Sequence, residues 1–274
     1  MYVSVAVMDT GIFRHMDFDK RIAGFADFVG RKKYLYDDNG HGTHVAGIIA
    51  GSGKGSNGKY RGIAPDAFLV SVKVLDKSGN GKIENVVEAA DWIIENKTAM
   101  NIRVVNISFG TRAKMENGPA IETGEDDYAL IMAVEKMWDS GIVVVAAAGN
   151  NGPGNTSVTA PGISKKIITV GAFDDKNFFS GRGPTRECIV KPEVVVTGSN
   201  IIACNNHQGR YSSKSGTSMA APVVSGAVAR LIKNNPDITP KEVKIWMKSC
   251  CKKINVPSEK QGWGVLDIRK FVTG

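Results

Sequence analysis

The feature that most constrains this chain is the alternation of short, continuous apolar segments with segments of helical periodicity. Six apolar segments predict β-strands: Val3–Met8, Phe68–Val74, Arg103–Ile107, Ile142–Ala147, Ile167–Val170 and Glu193–Val196. Several are unbroken Val and Ile runs, which is typical of strands buried on both faces of a parallel sheet. The helical candidates are His44–Ala50, Ile83–Asn96, Asp127–Ser140, Met219–Asn234 and Pro240–Cys250. We therefore predict an α/β fold: a single domain with a doubly wound, mostly parallel sheet and helices on both faces.

Composition excludes several other classes of protein. Hydrophobic residues make up 42% of the 274 residues and charged residues 23%, which is ordinary for a globular protein and too apolar for a disordered chain. No apolar run approaches the ~18–20 residues of a membrane span, so no membrane partner is predicted. The cysteines lack the spacing of a metal site or a disulfide framework, and residues 1–9 lack the features of a signal peptide. Reduced thiols and a cytoplasmic location are therefore expected.

Two polar, glycine-rich segments and the net charge of +8 require separate interpretation. Gly51–Arg61 and Thr111–Asp127 are too polar for a core and are predicted to be surface loops, which in such folds often line binding clefts. An excess of positive charge is also found in proteins that bind nucleic acid. No helix-turn-helix, RRM or zinc-finger pattern accompanies it here, so no nucleic acid partner is predicted.

Three segments place a reactive side chain where a strand ends or a helix begins. V-A-V-M-D-T-G leads from a strand into Asp9, and open α/β sheets carry their sites at such strand ends. N-G-H-G-T-H-V-A-G holds His41 between two glycines. S-G-T-S-M-A-A-P places Ser218 near the amino end of a helix, where free amides stabilise negative charge. Taken singly, each residue has an ordinary alternative: a strand-to-turn aspartate, a turn histidine and a helix cap.

The order of these residues separates two kinds of hydrolase. The run from Gly216 to Ala220 nearly matches the G-x-S-x-G nucleophile elbow of α/β-hydrolases. In that fold the order is Ser, acid, His, whereas no histidine follows Ser218 in this chain. A zinc site of the HExxH type is also excluded, because His41 and His44 have the wrong spacing and no glutamate between them.

The chain resembles the subtilisin-type serine proteases (the subtilase family), and within them the bacterial intracellular branch. The resemblance covers residues 3–250 through the motifs D-T-G, H-G-T-H-V-A-G, G-I-A-P, N-I-S-F-G, V-V-V-A-A-A-G-N, G-R-G-P and S-G-T-S-M-A-A-P. It implies that residues 1–274 form a subtilase catalytic domain. The implied function is a serine endopeptidase that hydrolyses protein or peptide substrates through an acyl-enzyme intermediate. A catalytically silent subtilase-like binding or regulatory protein is the alternative, although such proteins usually lack a triad residue.

The resemblance also implies a role for each catalytic residue. Ser218 is expected to be the nucleophile, and His41 to take its proton and later pass it to the leaving amine. Asp9 would hold the imidazole in the required tautomer and stabilise the imidazolium. Asn150 matches the amide of the family's oxyanion hole, where it would act with the backbone N–H of Ser218.

Substrate-binding residues follow from the same resemblance. Backbone at the end of one strand is expected to pair with an extended substrate, and the end of the next forms a wall of the S1 pocket, which receives the residue before the scissile bond. A threonine at the pocket floor stands where secreted subtilisins commonly carry glycine. We therefore expect a shallow pocket that prefers medium apolar residues to large aromatic ones. The residues concerned are Ser108, Phe109 and Gly110 for the backbone, Ala147, Ala148 and Gly149 for the wall, and Thr159 for the floor.

No cofactor is expected for the chemistry, and no metal ligand is predicted. The loop Gly51–Arg61 corresponds to a region that binds structural calcium in secreted relatives, but it carries Lys54, Lys59 and Arg61 and no carboxylate. Because Ca²⁺ prefers anionic oxygen ligands, this loop does not support a calcium site, while a structural calcium elsewhere stays an open alternative. Most subtilases carry an inhibitory propeptide, so either one was removed from this chain, which we favour, or folding needs no propeptide. No oligomeric state is predicted.

Overall fold

A mixed sheet of nine strands runs through the computed structural model, which describes residues 2–111 and 124–274. Its strand order is β10-β11-β7-β6-β5-β4-β1-β3-β2, and β8 and β9 form a separate hairpin. All pairs in the large sheet are parallel except β10 with β11. The strands are β1 (Ser4–Asp9), β2 (Ile22–Asp27), β3 (Phe68–Lys73), β4 (Ile102–Ile107), β5 (Val143–Ala147), β6 (Ile168–Ala172), β7 (Val194–Val196), β8 (Ile201–Cys204), β9 (Tyr211–Lys214), β10 (Cys251–Lys252) and β11 (Val265–Leu266).

Helices cover both faces of this sheet. Along β1, Val5 and Val7 belong to the hydrophobic cluster that contains the apolar side chains of α1 and α4, whereas Ala6 and Met8 belong to the cluster of α2 and α3. Successive strand residues point to opposite faces, so the unbroken apolar run is explained by burial on both sides. The helices are α1 (His41–Ala50), α2 (Ile83–Asn96), α3 (Glu125–Asp139), α4 (Thr217–Asn234), α5 (Pro240–Ser249), α6 (Ser258–Gln261) and α7 (Ile268–Val272).

The predicted α/β class, with a doubly wound and mostly parallel sheet, is confirmed. The chain runs from β1 to β3 on one side and returns to β4 on the other, so the strand order reverses at β1. Ligand sites in open α/β sheets lie at the carboxyl ends of the strands where this reversal occurs. Asp9, the last residue of β1, lies at that point.

Several elements differ from the sequence prediction. α1 begins at His41, three residues before the expected start. The elements that were not predicted are β2, the β8–β9 hairpin, β10, β11, α6 and α7. The loop Gly51–Arg61 contains one short turn of 3₁₀-helix over Lys54–Ser56. Residues 112–123 of the predicted loop Thr111–Asp127 lie outside the described residues, and its last three residues begin α3. No helix among the described residues is long and apolar enough to cross a membrane.

Candidate active site

The carboxylate of Asp9 and the ring of His41 form a close pair at the end of β1. Both carboxylate oxygens lie near Nδ1 of His41, at 2.8 and 2.9 Å, and the backbone N–H of Thr10 donates to Oδ1 at 2.7 Å. Asp9 is fully buried, while the His41 side chain is 25% exposed. The carboxylate accepts the Nδ1 proton, which leaves Nε2 of the neutral ring as the free proton acceptor.

Asp37 organises the turn that carries His41. Its carboxylate accepts from the backbone N–H groups of Gly40 at 2.8 Å and Thr43 at 3.0 Å, and from the hydroxyl of Thr10 at 2.9 Å. Gly40, at the N-cap of α1, has a φ of +97°, a conformation that favours glycine. The sequence analysis did not identify Asp37, although an aspartate just before a helix start is a recognisable signal, because a helix N-terminus favours a nearby negative charge.

Opposing effects set the pKa of His41. Burial lowers it, whereas the charge of Asp9 and its hydrogen bond raise it, and the net result is a pKa above the ordinary value of 6.5. Among the more distant charges, Lys214 lowers the pKa and Asp37 raises it. The arrangement therefore stabilises the imidazolium, which is the form that a general base reaches after it takes a proton.

Ser218 lies in the first turn of α4, after Gly216, whose φ of +147° is accessible to glycine. Four residues after Ser218, Pro222 has no N–H, so the carbonyl of Ser218 lacks its usual helical donor. The hydroxyl of Ser108 replaces that donor at 3.0 Å, and the hydroxyl of Ser218 donates in return to the carbonyl of Ser108 at 2.8 Å. These two hydrogen bonds hold the start of α4 against the end of β4.

Buried polar side chains extend this connection into the core. Asn106 donates to the hydroxyl of Ser108 at 2.9 Å and accepts from the hydroxyl of Ser225 at 2.8 Å. Asn106 and Ser225 are fully buried, so each supplies a partner that would otherwise be missing. The Ser218 hydroxyl is turned toward the Ser108 carbonyl, and no hydrogen bond joins it to His41 within residues 2–111 and 124–274. The structure therefore brings Asp9 to His41 and Ser218 to Ser108 as two separate pairs.

The side chain of Asn150 lies beside the start of α4 in a fixed orientation. Its Oδ1 accepts from the backbone N–H of Thr217 at 3.0 Å and from the hydroxyl of Thr217 at 3.1 Å. This leaves the amide nitrogen, Nδ2, as the free end of the group. A Cβ placed on Gly216 would lie 3.3 Å from that nitrogen and 3.8 Å from the backbone nitrogen of Ser218, so both donors border the same spot.

The ends of β4 and β5 meet around Thr159. A Cβ added to Gly110 or Gly149 would lie 2.3 or 2.7 Å from its hydroxyl oxygen, so this side chain is pressed between the two glycines. The backbone N–H of Thr159 donates to the carbonyl of Ala148 at 3.2 Å. The remaining predicted substrate-binding residues, Ser108, Phe109 and Ala147, lie at the same two strand ends. The structure brings all seven to one edge of the sheet.

Residues 2–264 match the subtilase family. The chain belongs to that family. It is similar to "Serine protease AprX" of Bacillus subtilis (strain 168), with 42% identity over 274 residues that cover 90% of this chain and 60% of AprX. It is also similar to "Subtilisin DY" of Bacillus licheniformis, with 35% identity over 245 residues that cover 88% of this chain and 81% of that protein.

A solved structure has the same fold as this subtilase. The crystal structure of a cold adapted subtilisin-like serine proteinase matches 96% of this chain and 86% of its own, with 30% identity and a TM-score of 0.76. The subtilase spans 60% of the length of AprX, the relative with 42% identity.

Away from the Asp9–His41 pair, the described part of this subtilase contains one cluster of side chains that could ligate a metal. Ligand atoms of His15, Asp17 and Cys204 lie within 4.8 Å of one another, and all three residues are buried. The carboxylate of Asp17, however, accepts from the backbone N–H of Gly53 at 3.0 Å and of Gly55 at 2.8 Å. The backbone N–H of Asp17 donates to Nδ1 of His15 at 3.2 Å, so the lone pair of that ring nitrogen is already used.

The surroundings of this cluster do not suit a cation. The hydroxyl of Tyr211 lies 3.0 and 2.9 Å from the two Asp17 oxygens, so donors surround the carboxylate. Burial, together with the negative charge of Asp17, raises the pKa of the Cys204 thiol well above its ordinary value, so the thiol stays protonated. Hydrogen-bond donors from Gly53, Gly55 and Tyr211 thus occupy the place that an ion would need.

Proposed function

We propose that this subtilase is a serine endopeptidase in which Asp9, His41 and Ser218 form the catalytic triad and Asn150 contributes to the oxyanion hole. The observation that carries the proposal is the Asp9–His41 pair at the reversal point of the sheet, next to a serine at a helix amino end. The similarity to AprX, a serine protease, supports the proposal.

The chemistry assigns one task to each group. Ser218 turns from the Ser108 carbonyl to Nε2 of His41, gives up its proton and attacks the scissile carbonyl carbon. The resulting oxyanion accepts hydrogen bonds from Nδ2 of Asn150 and the backbone N–H of Ser218, both of which border Gly216. His41 then donates the proton to the leaving amine, and the acyl group stays on Ser218. Water, activated by the same imidazole, releases the acyl group.

The raised pKa of His41 sets the direction of the pH dependence. Only the neutral ring can accept the Ser218 proton, so kcat/KM rises with pH as the imidazolium of the free enzyme loses its proton. Asp9 holds that pKa above 6.5, and the rise is therefore expected on the alkaline side of the ordinary histidine value. In the acyl-transfer step the same stabilisation of the imidazolium lowers the barrier.

Covalent labelling and a single substitution test this function. Wild type is expected to cleave casein and fluorogenic peptides and to react with a serine-directed phosphonate at Ser218. Ser218→Ala should lose about 10⁶ in kcat, the scale known for the corresponding serine in subtilisin, while the protein keeps its native fold. If folded wild type cleaves no substrate and is not labelled at Ser218, the protein is instead a catalytically silent binding or regulatory protein.

We further propose that residues 1–274 act as one catalytic domain, without a cofactor, on protein or peptide substrates. The sheet supports this extent, because its strands come from both ends of the chain, from β1 to β11. The triad and Asn150 together supply every group that acyl transfer requires, namely nucleophile, base and oxyanion donors. Activity that persists in this chain after exhaustive chelation is the expected result. A chelator-induced loss of kcat that Ca²⁺ restores would contradict the proposal.

We also propose a reducing, cytoplasmic location. All four cysteines are free thiols, and Cys188 is exposed. Persistent disulfides are typical of secreted proteins, whereas free thiols suit the cytoplasm. Burial raises the pKa of Cys251 to about 12, so that thiol resists oxidation. Fractionation of the native host should recover the protein with the cytoplasmic fraction, and its accumulation in the medium would contradict this location.

A further inference from the structure

The β8–β9 hairpin is fixed against the turn that carries His41. Nε2 of His44, one turn further along α1, donates to the carbonyl of Ser212 at 3.0 Å. Asn206, in the connection between the two strands, donates to the carbonyl of Asp37 at 3.3 Å, and a Cβ on Gly40 would lie 2.9 Å from its Oδ1. Burial lowers the pKa of His44 to about 4, so its ring stays neutral and keeps this contact at neutral pH.

Lys214 ends β9 in this fixed hairpin, two residues after Ser212 and four before Ser218. Its half-buried side chain brings a positive charge into the field of the His41 ring, which otherwise includes the negative charges of Asp9 and Asp37. Those two carboxylates are buried and bound to other donors. Across residues 2–111 and 124–274, no carboxylate lies within ion-pair distance of Lys214.

The strand order shows which part of a substrate would meet this charge. β4 and β5, whose ends carry the expected acyl-side surfaces, lie on one side of β1, and Asp9 ends β1 itself. His41 contacts Asp9 and is the group that gives its proton to the leaving amine. The leaving segment must therefore pass the His41 side of Ser218, where the β8–β9 hairpin and Lys214 lie.

We propose that Lys214 selects substrates with an acidic residue just after the scissile bond. This inference rests on the proposed endopeptidase function. A carboxylate at the first or second residue of the leaving segment would supply the partner that Lys214 lacks within the described chain. Lys214 acts as a specificity residue, and the reacting atoms are handled by Asp9, His41 and Ser218.

A set of quenched fluorescent peptides tests this selectivity. The peptides share one acyl side and carry Asp, Asn or Lys at the first or second position after the scissile bond. For wild type at low salt, kcat/KM should be about fivefold higher with Asp than with Lys, the scale of a partly exposed ion pair, and the ratio should fall at 1 M NaCl. Lys214→Met should bring the ratio near one, and Lys214→Glu should invert it.

Lys248→Met is the matched control, because Lys248 is an exposed lysine on α5 and its loss changes the net charge equally. It should keep the wild-type ratio.

A second readout is the pH profile. Lys214→Met removes a charge that lowers the pKa of His41, so the acid limb of kcat/KM should move to higher pH. Lys248→Met should leave the acid limb in place.

The outcomes separate this proposal from the proposed function. Cleavage of the Asn peptides with no preference between Asp and Lys, or an unchanged preference in Lys214→Met, would overturn the role of Lys214 and leave the endopeptidase intact. Failure of wild type to cleave any peptide or to be labelled at Ser218 would overturn both.

Discussion

Thr159 is the single residue with the greatest expected influence on which substrates are cut. Its hydroxyl lies between Gly110 and Gly149, which end the two segments expected to bind substrate, and the residue is 8% exposed. A threonine at this point fills space that a glycine would leave open to a substrate side chain. The shallow pocket stays a prediction, and the position of Thr159 between the two glycines is the steric reason for it.

Thr159→Gly is expected to shift the preference toward large aromatic residues before the scissile bond. Removing the side chain frees the volume between the two strand ends. The ratio of kcat/KM for a substrate with Phe before the scissile bond to that for one with Leu should therefore rise about tenfold, the scale of one or a few methylene groups in an apolar pocket. Thr159→Ser, which loses the methyl group and keeps the hydroxyl, should give a smaller rise. If wild type, tested with a peptide library, already prefers Phe or Tyr before the scissile bond, the prediction of a shallow pocket is wrong.

The sequence indicates which residues are candidates for the chemistry, but it does not indicate which buried residues hold them in place. The triad of Asp9, His41 and Ser218 stays a prediction, which rests on the subtilase-like motifs around these residues more than on the local signal of any one of them. Asn106 and Ser225 were missed, because a buried Asn in an apolar strand and a Ser inside a helix gain meaning only from the 2.8 Å contact across 119 residues of sequence.

At the level of elements, Asp17 ties the loop after α1 to the β8–β9 hairpin. Its carboxylate accepts from Gly53 and Gly55 in the loop and from Tyr211 on β9. Nε2 of His15 donates to the carbonyl of Arg210 at 3.1 Å, which adds a second link to the hairpin. In this way one buried carboxylate orders a loop rich in glycine and positive charge.

Asp17→Asn should loosen both elements. An amide nitrogen in place of a carboxylate oxygen would face backbone N–H donors, at a cost of about 1–3 kcal/mol in the free energy of unfolding. In a Ser218→Ala background, which prevents self-digestion, Tm should fall and amide exchange at Gly53 and Gly55 should accelerate. EDTA should leave those two amides unchanged in the parent protein.

Asp19→Asn is the matched control for this substitution. Asp19 is exposed, lies two residues from Asp17 and has a φ of +43°, which asparagine tolerates. It should leave Tm and the exchange of both glycine amides unchanged. Faster exchange at Gly53 and Gly55 on chelation alone would show that an ion, and not Asp17, orders the loop.

Predictability at this scale followed the length and apolarity of each element. The six predicted strands lie within one or two residues of their bounds in the structure, because continuous Val and Ile runs have few other uses. The hairpin was missed, because β9 reads Y-S-S-K and its pairing with β8 is formed between two short strands. The start of α1 was placed late, because Gly40 and Gly42 weaken the helical signal around His41.

At the scale of the whole molecule, a buried ionic cluster joins the sheet to α5. Nζ of Lys191 lies 2.8 Å from both Glu193 oxygens and also donates to the Thr169 hydroxyl at 3.0 Å, while Lys244 on α5 lies 2.8 Å from Glu193. Lys191 is fully buried. Burial lowers its pKa to about 8, Glu193 offsets part of that effect, and Lys244 adds to it. Burying the charged form of Lys191 therefore lowers the free energy of unfolding at neutral pH.

The linkage between this pKa and folding predicts a pH dependence of stability. In the unfolded chain a lysine keeps its proton up to a pKa of about 10.4, whereas the folded chain releases the Lys191 proton near pH 8. Between these values the unfolded state binds more protons, so the contribution of Lys191 to the free energy of unfolding rises with pH. Relative to Lys191→Met, wild type should become progressively more stable from pH 8 to about pH 10.4.

Urea unfolding in the Ser218→Ala background measures this difference at pH 7, 9 and 10. Lys191→Met is a suitable reference because Glu193 keeps Lys244 and the backbone N–H of Thr169, at 2.8 Å each. Lys248→Met, which alters an exposed lysine, should differ from the parent by a constant amount over this range. A difference between parent and Lys191→Met that is flat or falls with pH would mean that the folded protein keeps the Lys191 proton, and that Glu193 outweighs burial in setting its charge.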